Sequence, residues 1–103
     1  MSGVANPYRY QFETVAVSQT GQVLGGTGAK GDYLHRVIIS VVTAASGSVT
    51  IIDGSTSILI STGAATLPLG TFSVECNMRS QTGAWSVTTG AGATVVAVGI
   101  FSA

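Results

Sequence analysis

Thr71-Phe72-Ser73-Val74-Glu75-Cys76-Asn77-Met78-Arg79 is the stretch that decides the fold class. Phe72, Val74, Cys76 and Met78 alternate with Thr71, Ser73, Glu75, Asn77 and Arg79 without a break. A period of two sends the two sets to opposite faces of an extended chain, so this is a strand with one face on a core. The chain on either side repeats the theme. Before it, Thr66-Leu67-Pro68-Leu69-Gly70 reads as a connection, because Pro68 cannot donate to a sheet ladder. After it, residues 81–84 read as a turn, 85–89 as a strand, 90–92 as a turn and 93–101 as a strand.

Working back toward the start, residues 48–52 and 57–62 read as strands around an Asp53-Gly54 hairpin turn. Residues 32–43 are the strongest strand upstream, ended by a turn over 44–47. There, strict alternation places Tyr33, His35, Val37, Ile39 and Val41 on one face and Leu34, Arg36, Ile38, Ser40 and Val42 on the other. Both faces are substantially apolar, so the strand is expected to be covered on both sides, and a subunit contact is one way to cover the second. Residues 25–31 form a glycine-rich loop, and 22–24 a short strand. Over residues 8–19 the aromatic stripe Tyr8, Tyr10 and Phe12 is expected to face the core, with docking of part of it on a partner as the alternative. Residues 1–7 read as a flexible or extended arm ending at Pro7, and 8–103 as one domain. About eight short strands at spacings of roughly 8–12 residues predict an all-β antiparallel sandwich of jelly-roll type. A weak echo, Ser48-Val49-Thr50 with Gly54 against Ser86-Val87-Thr88 with Gly92, suggests two hairpins of similar build.

Composition bounds the function. Of 103 residues, 4 are Lys or Arg and 4 are Asp or Glu, so 8% are charged, against 46% hydrophobic. An average domain carries about 25% charged residues. The deficit is made up by 14 Gly, 12 Ser and 13 Thr. A formal net charge of zero opposes nucleic-acid binding through a basic stripe. The absence of an apolar run of about 18 residues opposes a membrane-spanning helix, and the start lacks the basic and apolar regions of a secretory signal. One Cys and one His are too few for a zinc site.

Each candidate for chemistry has a plainer reading. Gly26, Gly28 and Gly31 spell G-x-G-x-x-G, but a dinucleotide site needs a helix after it and a β-branched strand follows here. His35 lies near Asp32 and Ser40, yet no nucleophile elbow or oxyanion loop accompanies them, so it reads as a packed or interface residue. Cys76 on its apolar face reads as a structural thiol. Glu13, Asp32, Asp53 and Glu75 read as turn formers or ion-pair partners of Arg36 and Arg79 rather than a converging acid pair, and no D-x-D-x-D calcium loop occurs. Trp85 reads as a core or interface anchor, with a sugar-stacking platform as the alternative. No catalytic, cofactor or metal residue is assigned, and the expectation is that the protein is not an enzyme.

Ala29-Lys30-Gly31-Asp32-Tyr33-Leu34, Val49-Thr50-Ile51-Ile52-Asp53-Gly54, Gly83-Ala84-Trp85-Ser86-Val87-Thr88-Thr89-Gly90 and Val96-Ala97-Val98-Gly99 together resemble small β-rich virion proteins of tailed bacteriophages, over about residues 28–101. Such proteins are similar to capsid decoration, or cement, proteins. The resemblance implies a sandwich or jelly roll, a place on the capsid surface after synthesis in the host cytoplasm, and a homotrimer bound to the major capsid protein. A head-fibre, knob or neck adaptor that binds a glycan or another virion protein is the alternative. It implies no nucleic-acid or membrane partner and no cofactor. On this reading Val4, Tyr8, Arg9 and Tyr10 are expected at the capsid contact, and His35, Arg36, Val37 and Trp85 at the subunit contact.

Overall fold

The structure, a computed structural model, describes residues 10–41, 49–61 and 69–102. Eight strands follow in order: β1 (Gln11–Val15), β2 (Gln22–Val23), β3 (Tyr33–Val41), β4 (Val49–Asp53), β5 (Thr56–Ser61), β6 (Gly70–Arg79), β7 (Trp85–Thr88) and β8 (Ala93–Ile100). Every pairing is antiparallel. One sheet runs β1-β8-β3-β6 and the other β2-β7-β4-β5. The pairs β4·β5, β3·β6, β2·β7 and β1·β8 are nested, as in a long hairpin rolled up on itself, which is the strand order of a jelly roll. The expected arm over 1–7 and the turn at 44–47 lie outside the described residues.

The β4–β5 turn is the tip of that rolled hairpin. Asp53 pairs with Thr56, leaving Gly54 and Ser55 as a two-residue loop. Gly54 has φ +59°, and a Cβ on it would run into Thr82 Oγ1 and lie 2.7 Å from Gly83 N. Only glycine meets both demands. The sequence echo has a different meaning from the one expected. β4 turns back within its own sheet, whereas β7 crosses to β8 in the other sheet, so the two segments are not equivalent hairpins.

The core fills the space between the sheets. β3 contributes Leu34, Val37, Ile39 and Val41, β8 contributes Ala93, Val95 and Ala97, and β4 and β7 contribute Val49, Ile51, Trp85 and Val87. Val15, Leu24 and Phe101 complete the core, and Ile58, Val74, Cys76 and Met78 pack against it. Burying each large apolar side chain contributes roughly 1.5–3 kcal/mol before entropy is counted. β6 carries the alternation read from its sequence, with Val74, Cys76 and Met78 toward the core.

β3 does not keep strict alternation. Leu34 and Val37 are both fully buried although they are three residues apart. Between the pairs Leu34–Gly99 and Arg36–Val98, β3 holds one residue more than β8. Between Leu34–Met78 and Arg36–Glu75, β6 holds one more than β3. The extra residues form a bulge that widens strand by strand and resets the facing of β3. Asn77, on β6 at this point, takes φ +50° to accommodate it. Leu34 is thereby a core residue, while Tyr33, His35 and Arg36 are only half-buried. Gly99 fits the closest approach, where a Cβ would collide with Tyr33 O.

β1 also departs from expectation. Phe12 is 74% exposed and Val15 fully buried, so the odd-numbered residues face inward and Phe12 points away from the core.

Candidate functional site

The ionisable side chains show where chemistry would have to come from. Asp53 ends the inward-facing row Val49, Ile51, Asp53, so its carboxylate sits at the lip of the core beside Trp85. It accepts hydrogen bonds from Gln81 N at 2.9 Å, Thr82 N at 3.0 Å and Thr82 Oγ1 at 3.2 Å. Burial pushes the carboxyl upward, but donors on Gln81, Thr82 and Gly83 outweigh it and hold its pKa below the ordinary value.

Asp32 ties three segments together. Its Oδ2 accepts from Ala29 N at 3.0 Å and Ser102 N at 2.9 Å, and its Oδ1 from Ser102 Oγ at 2.8 Å. Its carbonyl accepts the Trp85 indole N–H at 2.8 Å. Glu13 closes the seam between β1 and β2, accepting from Gln22 Nε2 and from Gly25 N, each at 2.7 Å. Glu75 pairs with Arg36 at 3.1 Å. Three of the four carboxylates thus hold loops through neutral N–H and O–H donors. The interstrand ion pairing read from the sequence holds for Glu75 with Arg36.

The residues singled out for contact divide sharply. Val37 is fully buried and Trp85 is 1% exposed, so neither presents its side chain to a partner. The bulge accounts for Val37, and the indole bond to Asp32 fixes Trp85 inside. The same burial opposes Trp85 as a stacking platform for sugars, and the Asp53 carboxylate beside it is engaged by Gln81 and Thr82. His35 and Arg36 face outward from the first sheet. The His35 ring stacks on Tyr10 with centroids 4.6 Å apart and planes at 13°. Tyr33 lies 6.1 Å from both rings and donates its hydroxyl to Asn77 Oδ1 at 3.0 Å. His35, Asp32 and Ser40 do not assemble into a triad, because the Asp32 carboxylate is turned to Ala29 and Ser102. Val4, Tyr8 and Arg9 lie outside the described residues, and Tyr10 enters the site as the ring over His35.

Cys76 is half-buried, and burial, followed by the negative charge of Glu75, pushes its thiol above the ordinary value. That opposes a thiolate nucleophile. Among the described residues no group of three His, Cys, Asp or Glu side chains converges on a metal position. The glycine-rich segment is a loop running into β3, as its sequence indicates. Gly28 N donates to Ser102 O at 3.1 Å, so this loop amide is engaged by the chain itself. A depression of about 630 Å³ lies over Tyr10, Gln11, Phe12, Glu13, Gly25, Gly26 and Phe101. The carboxylate in its lining is the one already bonded to Gln22 and Gly25.

What remains is a surface. On β8, Thr94, Val96 and Val98 alternate with buried Ala93, Val95, Ala97 and Gly99, and Ile100 is 46% exposed. Phe12 lies beside Val98, Ile38 beside Val96, and Tyr33 beside Ile100. The outer face of the first sheet is therefore apolar along its middle. Sequence reasoning favoured the core for Phe12. The contrary signal was Val15, whose odd position conflicts with a core stripe through Phe12.

Comparison with protein-family models, curated proteins and solved structures finds no match.

Proposed function

We propose that the chain is a structural virion protein that binds the outside of a phage capsid and reinforces it, a decoration protein working as a homotrimer on the major capsid protein. The observation that carries the reading is the outward apolar face of the first sheet, with Phe12 at 74% and Ile100 at 46% exposure. Contiguous exposed apolar surface of this kind marks association. The resemblance over residues 28–101 is what favours a phage shell as that assembly. Two further features support it. The carboxylates are engaged in holding the fold, and a charge content of 8% leaves shape and apolar contact as the basis of recognition. Copies tied together on a repetitive shell convert weak contacts into firm attachment through effective concentration. The proposed place is the capsid surface, after synthesis in the host cytoplasm.

The test mixes purified protein with undecorated capsids and pellets them. Saturable co-sedimentation that raises the temperature of capsid disruption is the expected result. Protein left wholly in the supernatant at micromolar concentration would remove this function.

A further inference from the structure

We infer that copies of this chain associate through the outer face of the β1-β8-β3-β6 sheet, centred on Phe12, Ile38, Val96, Val98 and Ile100. This deepens the proposed function, since it rests on the homotrimer and names the surface that builds it. These residues form one patch by register. Phe12 pairs with Val98, Val96 pairs with Ile38, and Ile100 continues the outer face of β8 beyond Val98. Among the described residues no element covers this side, and neighbouring copies are the natural cover for an apolar pleated surface.

Two properties of the face select another copy as the occupant. The first is size. Four strands at about 4.8 Å spacing and the length of β8 at about 3.3 Å per residue give roughly 500 Å² in projection. Side-chain relief brings this toward the roughly 800 Å² that each partner contributes to a stable interface. The second is charge. Arg36 and Glu75 both lie on this face and neutralise each other at 3.1 Å. Neighbouring copies packed against it around a three-fold axis meet no uncompensated like charge at its centre. The Tyr10–His35–Tyr33 cluster borders the patch and supplies flat aromatic contact.

The pair Phe12→Lys and Val98→Lys places two charges on each copy of the patch while leaving the core residues untouched. Sedimentation equilibrium of the wild type at micromolar concentration should show an assembly. The double variant should be monomeric, with a dissociation constant raised at least about 30-fold and an unchanged far-UV spectrum. Ser57→Lys, on an exposed position of the other sheet, should assemble as the wild type does. If two lysines disturb folding, Phe12→Ser with Val98→Thr reads the same quantity with milder changes. A monomeric wild type, or a folded double variant that assembles normally, overturns the inference. Capsid pelleting separates it from the decoration role. Wild type that assembles but ignores capsids leaves the face standing and removes that role, whereas monomers that bind capsids do the reverse.

Discussion

Replacing Asp53 by Asn tests whether one carboxylate holds the tip of the rolled hairpin. The substitution keeps the shape but presents an amide that can aim only one oxygen at the three donors on Gln81 and Thr82. Hydrogen bonds to a charged acceptor contribute roughly 1.5–3 kcal/mol each when buried. Gln81 and Thr82 are exposed, so their amides recover water and the loss is well below the sum. A net cost of about 2 kcal/mol follows, which in a domain of this size lowers Tm by roughly 10 °C. Urea titration should be run at protein concentrations too low for association, because assembly adds stability of its own. The pH dependence supplies the sharper criterion. The folded pKa of Asp53 lies below its unfolded value, so its stabilisation is complete above about pH 4 and fades as pH falls through the folded value. The difference between wild type and Asp53→Asn should therefore be full at pH 7 and shrink in acid below about pH 4. Equal stability at pH 7, or a difference that persists undiminished to pH 2, would refute the reasoning.

Other outcomes follow from the same geometry. Gly54→Ala, which needs φ +59° and crowds Thr82 Oγ1, should cost about 1–3 kcal/mol in urea titration. Glu75→Gln breaks an ion pair whose partners are 39% and 55% exposed, and should change stability by less than about 1 kcal/mol, less still in high salt. Cys76 should react slowly with a thiol reagent at neutral pH and rapidly once urea unfolds the chain, because burial and Glu75 both disfavour its thiolate. The Trp85 emission should be blue-shifted and protected from iodide in the native state, since the ring is 1% exposed. Ready quenching would place it at the surface.

Alternation and turn chemistry made most of the fold legible. Phe72 to Met78 announced β6, and Asp53-Gly54 announced the β4–β5 hairpin, because both signals are local. The facing of β3 was not legible. Its bulge depends on a register shared with β6 and β8, strands far away in sequence, and nothing at His35 reveals it. The burial of Val37 and Trp85 was hidden for that kind of reason: the bulge parts Val37 from Tyr33 and His35 while it stays with Ile39 and Val41, and Trp85 is drawn inward by the Asp32 carbonyl across 53 residues of sequence. The four acids read as turn formers or ion-pair partners of arginines. Three of them instead bond to loop amides and hydroxyls, a use visible only once distant loops meet. The shortage of charge gains a physical meaning from this, because three of the acids hold loops in place and the fourth is neutralised by Arg36 on the outer face.

A density map of the assembled virion tests the central claim most directly. The account predicts a jelly-roll density on the outside of the shell, in trimers, with the Phe12–Val98 face of each copy turned against its neighbours. A bare shell, or copies bound with that face open to solvent, would contradict it.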